Sequence, residues 1–407
     1  MNMPEKTIVY LTRSLAMAAC LTTIAATSSS LAQDQTGGVI TISESSSGSA
    51  SSIASTGTAA AGKVSARGES GFRIESAAEQ QDTPIYRILH DDRPIATYHA
   101  DLEGTPGFYP LLSPSGLPLT RNYPMKPFGE AKSNADAAMT LEKDDHHHHR
   151  SMWFNHGEVD EYDFWMDKPG AKTGHIVQRS GGVRVQQATQ IINGVTSNHS
   201  SCEIRTLNDW MTPDEKRLLR DERTFRFSEH LGDTVLDCTI HLIAGDNTVT
   251  FGDTKEGSLG VRVAGSMKVD AKLGGEIHNA EGLKNDDAWG KASAWVDYSG
   301  PIAPPELPSG KKLTAADAAD WSRAGITMMY HPTNELPECY WHVRSYGLFA
   351  ANPFGRKHFG KPAYEGVKIE KGKTLTIHAR VILHDGGFDA KKAATHFQDY
   401  ASKDVSE

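Results

Sequence analysis

The chain has 407 residues, 38% of them hydrophobic, with 42 Lys and Arg against 51 Asp and Glu for a formal net charge of −9. No cluster of basic residues stands out, which argues against a nucleic acid or an anionic membrane surface as partner. Beyond the first thirty residues no apolar run approaches the roughly 18 residues needed to span a bilayer, so no membrane span is expected.

Lys6 and Arg13 precede an apolar run from Leu15 to Ala26, followed by Ser30-Leu31-Ala32 with small residues at both specificity positions. This is the three-part pattern of a secretory signal, so residues 1–32 are expected to be cleaved and the chain exported to the periplasm or medium. The competing reading is a lipoprotein site at Met17-Ala18-Ala19-Cys20, with anchoring through Cys20. Residues 33–70 are dominated by Ser, Ala, Gly and Thr and read as a flexible leader. Residues 71–407 are expected to form a single β-rich domain. Three cysteines lie there, Cys202, Cys238 and Cys339. An exported chain permits one disulfide, but an odd count leaves the pairing open, and three buried thiols fit equally well.

In chain order, Ile85 to Leu89 and Ile95 to Tyr98 read as strands joined by a hairpin turn at Asp91-Asp92-Arg93-Pro94. Gly104 to Pro127 reads as loop or edge strand, and Asn134 to Lys143 as a short helix. Strand patterns follow at His175 to Arg179, Val183 to Ile192, Ser200 to Leu207, Leu218 to Phe227, Thr234 to Ile243 and Thr248 to Phe251. They continue at Gly257 to Val263, Ala292 to Tyr298, Ile326 to Met329, Tyr340 to Val343 and Thr374 to Leu383. Helices are expected at Thr314 to Arg323 and Asp389 to Tyr400. Many short strands with few helices predict an all-β fold, a large antiparallel sandwich.

The densest chemistry falls in Asp144 to Trp165, DDHHHHRSMWFNHGEVDEYDFW, with five histidines and two tryptophans. If Asp145 to Arg150 is extended, His146 and His148 face one side and His147 and His149 the other, nearly 7 Å apart along each side. The His146/His148 pair suits two ligands on a divalent Zn, Fe or Cu ion, or two hydrogen-bonding groups on one sugar. Neutral imidazoles held by carboxylates and acting as general bases are equally compatible. Candidate catalytic residues are His146, His148, His149, Arg150, His156, His342 and Arg344, the two arginines serving to clamp a carboxylate or stabilise an enolate oxygen. Candidate ligand contacts are Trp153, Asp163, Trp165, Glu256, Glu281, His331, Trp341 and Asn352, although Asn352-Pro353-Phe354-Gly355 has the composition of a tight structural turn.

Asp145-His146-His147-His148-His149-Arg150, Trp153-Phe154, His156-Gly157 and Asp163-Phe164-Trp165 resemble the hallmark of the PmoA-like family, secreted bacterial proteins labelled as methane oxygenase. Agreement extends to Asp253-Thr254-Lys255-Glu256-Gly257, Asn279-Ala280-Glu281-Gly282, Trp295 to Gly300, His331-Pro332, Tyr340 to Arg344 and Gly347 to Gly355, across most of Pro84 to Leu383. Departures fall at His147, where that family has proline, and at Asp160-Glu161, where it has asparagine-glycine, so the resemblance assigns those positions no role. It implies a β-sandwich, which would take the form of a mutarotase-like supersandwich, and a glycan or other small-molecule ligand. Three functions are compatible with these residues: acid–base chemistry on a sugar or sugar derivative, carbohydrate binding without turnover, and a metal-dependent oxygenase.

Overall fold

The structure, a computed structural model, describes residues 71–76, 83–126, 141–166, 170, 172–192, 195–307 and 312–405. The signal and leader readings, and most of the Asn134 to Lys143 helix, lie outside the described residues. The strands begin with β1 (Phe72–Ser76), β2 (Ile85–His90), β3 (Arg93–His99), β4 (Gly107–Leu111) and β5 (Met152–His156). Four long strands follow, β6 (His175–Ile192), β7 (Val195–Met211), β8 (Arg217–His230) and β9 (Asp233–Ala244), then β10 (Val249–Phe251), β11 (Gly257–Arg262) and β12 (Glu276–Asn279). The chain closes with β13 (Trp295–Pro301), β14 (Arg323–Tyr330), β15 (Tyr340–Val343), β16 (Leu348–Asn352), β17 (Val367–Ile369), β18 (Thr374–Asp385) and helix α1 (Ala390–Ala401).

Two eight-stranded antiparallel sheets result. The first runs β1-β2-β3-β4-β5-β11-β16-β15, the second β12-β13-β14-β18-β9-β8-β7-β6, and β10 pairs with β17 apart from both. Their inner faces interdigitate. Phe108 of β4 meets Phe225 of β8 at 5.0 Å between ring centroids, and Tyr298 of β13 meets Phe349 of β16 at 6.2 Å. Strict alternation makes this possible: along β8, residues Leu219, Asp221, Arg223, Phe225 and Phe227 point inward while their neighbours are exposed or half-buried. The all-β sandwich reading is therefore correct.

The Asp91-Asp92 hairpin also forms, both residues taking the positive φ that a tight hairpin turn requires (49° and 63°). β4 sits between β3 and β5 in the sheet interior, where loop or edge strand was expected. Thr314 to Arg323 forms successive turns with mainly three-residue hydrogen bonds instead of an α-helix. Only Ala318 there is buried, so no apolar face offsets the cost of nucleating a helix. The terminal helix forms as expected, Asp389 capping it by accepting from the amides of Lys391 and Lys392. It lays Ala393 and Tyr400 on Val235, Trp295, Met329 and Ile382, covering the outer face of the second sheet. Cys202, Cys238 and Cys339 are all free thiols buried in the core.

Candidate functional site

The outer face of the first sheet is where polar and aromatic groups gather. In β5, Met152 and Phe154 belong to the inter-sheet core, so Trp153 points outward; by the same alternation Gly260 and Arg262 of β11, Leu348 and Ala350 of β16 and His342 of β15 share that side. Strand register arranges them in rows. Trp153 lies opposite Gly260, Gly260 opposite Ala350 and Ala350 opposite His342. Three strand spacings, roughly 14 Å, thus separate Trp153 and His342 across a floor of two small residues. In the next row Arg262 faces Leu348, and Leu348 receives the amide of Arg344 at 2.8 Å. Gly260 is required: a Cβ there would meet the Trp153 ring at 2.9 Å.

The histidine run reaches this face as a turn. His146 adopts φ 45° and its carbonyl accepts the His149 amide at 2.9 Å, which brings the first and fourth histidines together. The extended geometry is corrected accordingly, although His146 and His148 still meet, edge-on with ring centroids 5.7 Å apart. His146 and His149 stack with ring centroids 4.7 Å apart and planes 11° from parallel, and Tyr346 stacks on His146 at 5.2 Å. His148 packs edge-on against His149 at 4.4 Å, while His147 turns away to Tyr123 and Asp144. Trp165 sits 5.1 Å from Trp153 and 5.8 Å from His149.

Arginines fix this arrangement. Arg262 donates to Nδ1 of His149 at 2.9 Å and to Asp145 at 3.2 Å, and its guanidinium lies 4.8 Å from the centre of the Tyr346 ring. Arg121 donates to the Asp145 carbonyl at 2.9 Å. Burial pushes the Asp145 carboxyl up, but Arg262, His146 and Arg121 outweigh it and hold it below the usual carboxylate value. Burial, helped by His148 and Arg262, drives His149 well below the ordinary 6.5, so it is neutral at pH 7.

Across the floor, Nδ1 of His342 lies 2.9 Å from the carbonyl of Lys255. Burial lowers this imidazole to about 4, against the opposing pull of Glu256. Glu256 pairs with Lys255 and also acts electrostatically on Tyr346 and Asp163. The guanidinium of Arg344 lies 5.6 Å from the Trp289 ring centre and 5.5 Å from that of Tyr346.

Of the residues expected from sequence, His146, His148, His149, Trp153, Trp165, Glu256, His342 and Arg344 thus gather on one face. The others serve elsewhere. Arg150 donates to the carbonyls of Glu103 and His148, pinning the β3–β4 connection. His156 faces the core between Phe251 and Phe354, bonded to Gly252 and Ser258. Asp163 accepts the amides of Trp165 and Met166 and so orients Trp165. Asn352 accepts from Phe354 and Gly355 and donates to the Thr254 carbonyl, the structural turn its composition indicated. Trp341 is on the core side, donating to Ser293. His331 bonds to Tyr400 and anchors α1; Glu281 is exposed in the turn after β12. Arg121, Arg262 and Tyr346 were not anticipated. Arg262 alone left a signal, a charge two positions after Gly260 in a strand that is otherwise uncharged.

The metal expectation does not fit these side chains. Among the described residues no group of three or more His, Cys, Asp or Glu is arranged to hold a metal ion. His149 Nδ1 is occupied by a guanidinium, and the nearest carboxylate, Asp145, is already shared by two arginines.

The buried neutral histidines give a stability prediction. His156 and His342 each have a folded-state value near 4 against 6.5 when unfolded, so the unfolded chain binds more protons between those limits. The contribution of these two groups is flat above pH 6.5 and falls through the interval down to pH 4, by on the order of 3 kcal/mol per histidine. Urea unfolding at a series of pH values checks this; an unfolding free energy that stays constant from pH 7 to pH 4.5 would contradict it.

A family model described as a family of unknown function, DUF6807, matches residues 86–398. No curated protein matches the chain. Among solved structures, a glycoside hydrolase family 97 enzyme from Pseudoalteromonas sp. strain K8, in complex with panose, is similar at 10% identity and a TM-score of 0.30, covering 77% of this chain and 34% of the other. The galactosidase domain of the α-galactosidase-sucrose kinase AgaSK is similar at 10% identity and a TM-score of 0.32, covering 74% and 40%. The chain thus spans less than half the length of either.

Proposed function

We propose, for a chain that belongs to the DUF6807 family of unknown function, that the outer face of the first sheet binds a carbohydrate and performs acid–base chemistry on it. The observation that carries this reading is a pair of neutral histidines fixed in opposite tautomers. The Lys255 carbonyl can only accept, so Nδ1 of His342 bears the proton and Nε2 presents a lone pair. Arg262 can only donate, so Nδ1 of His149 is the acceptor and Nε2 bears the proton. One imidazole is therefore a base and the other a hydrogen-bond donor, and neither needs a change of charge at pH 7 to act.

In this reading His342 Nε2 takes a proton from the bound sugar, while the N–H of His149 stabilises negative charge developing on an oxygen. Tyr346, half-buried at the rim, supplies flat apolar surface for a ring face of the ligand, and Trp153 and Trp165, fully buried beside His149, hold that imidazole in place. Export is part of the proposal, on the leader pattern of Lys6 to Ala32, and the mass of the chain secreted by an expression host tests it.

The experiment is incubation of the wild-type protein with neutral and acidic oligosaccharides, with products followed by mass spectrometry, beside His342→Gln and His149→Gln. The expected result is turnover of at least one class that both substitutions suppress while binding persists. Binding without product in the wild type would replace the enzyme with a carbohydrate-binding protein.

A further inference from the structure

Arg344 differs from the other arginines of this face. Arg121 and Arg262 both reach Asp145, whereas the guanidinium of Arg344 has no hydrogen-bond or ion-pair partner among the described residues. It is nevertheless held in place. The Arg344 amide donates to Leu348, its carbonyl receives Gly347 and the Tyr298 hydroxyl, and the guanidinium is braced by Trp289 and Tyr346. Beside it the indole nitrogen of Trp289 is buried without an acceptor among the described residues, and so is that of Trp165 on the opposite wall. Buried N–H groups left unpaired are costly, and an acceptor from a ligand would remove that cost. The carboxylates on this face are already neutralised, Asp145 by Arg121 and Arg262, Glu256 by Lys255. Arg121 and Arg262 share the single charge of Asp145, so this face carries a positive surplus, and Arg344 is the guanidinium in it that no carboxylate engages.

We infer that Arg344, together with the Trp289 indole N–H, receives the carboxylate of an acidic sugar, so that the ligand class of this face is a uronate-bearing carbohydrate. The inference rests on the proposed carbohydrate site and adds its charge. A planar fork with one positive charge matches a monoanionic carboxylate, which can accept two parallel N–H bonds.

The test uses the mature full-length protein and matched ligands: glucuronate, galacturonate and mannuronate oligosaccharides, their neutral counterparts, and the neutral sugars carrying a 6-sulfate. Calorimetric titration is expected to show the preferred uronate binding roughly tenfold or more tighter than its neutral counterpart. Raised salt should weaken the uronate alone. Arg344→Gln should bring the two within about twofold of each other, leaving the neutral affinity in place, and Arg344→Lys, which keeps the charge without the fork, should fall between. Circular dichroism of each variant verifies the fold. Equal affinity for acidic and neutral members in the wild type, or a preference that survives Arg344→Gln, overturns the inference while leaving the carbohydrate site standing. Tighter binding of the sulfated than the carboxylated sugar overturns the carboxylate assignment. Failure of every sugar, neutral and acidic, to bind overturns both readings.

Discussion

Asp221→Ala is expected to cost about 3–5 kcal/mol of unfolding free energy, the range for breaking a buried ion pair from one side. Asp221 and Arg223 point from β8 into the space between the sheets, 0% and 1% exposed. The carboxylate receives Arg223 Nη2 at 2.6 Å, Asn208 Nδ2 at 2.6 Å and Trp210 Nε1 at 2.7 Å. Removing it strands a guanidinium and two further donors in a core that water does not reach. Arg223 also lies 5.3 Å from the centre of the Phe154 ring, on the strand that carries Trp153 on its opposite face, so the loss should propagate to the site. The double variant Asp221→Ala, Arg223→Met should recover part of the loss, because the uncompensated charge is then gone. Urea denaturation of the three proteins measures this. A single-variant loss below about 1 kcal/mol would mean that the cluster is solvated and the core assignment is wrong.

The largest effect on activity is expected from His342→Gln. Glutamine keeps a hydrogen-bonding group but cannot take a proton, so kcat should fall by about 10²–10⁴, the usual share of a general base. KM should change far less. A base held near 4 also dictates the acid limb of the wild-type pH profile: activity should persist as pH falls through 6 and decline only near pH 4. A midpoint near the ordinary 6.5 would assign the base to another histidine.

Much of this architecture was legible because half-buried strands announce themselves. Leu218 to Phe227 and Thr234 to Ile243 show the two-residue period that antiparallel strands with one buried face must have, and they became β8 and β9. β5 and β16 are buried on both faces, MWFNH and LFAAN, so no alternation marked them as strands, yet they form the floor of the site. The histidine run was visible as chemistry but its geometry was not, because the left-handed backbone of His146 that folds it into a turn has no signature in four identical letters. His156 and His331 show the converse. A histidine bonded to backbone carbonyls in a core has the same letter as one that faces a ligand, and only burial and partners separate them. Arg121 lies outside regular structure, so no periodicity could have aimed it at Asp145.

The central claim is that a carbohydrate occupies the outer face of the first sheet, and the indole N–H signals of the tryptophans report on it directly. The nitrogens of Trp165 and Trp289 are buried beside that face without acceptors among the described residues, whereas Trp210 donates to Asp221 and Trp341 to Ser293 within the core. Titrating isotopically labelled protein with the oligosaccharide series should shift the Trp165 and Trp289 signals in a saturable way and leave Trp210 and Trp341 in place. Saturable binding that moves neither Trp165 nor Trp289 would put the sugar elsewhere on the molecule and contradict the account.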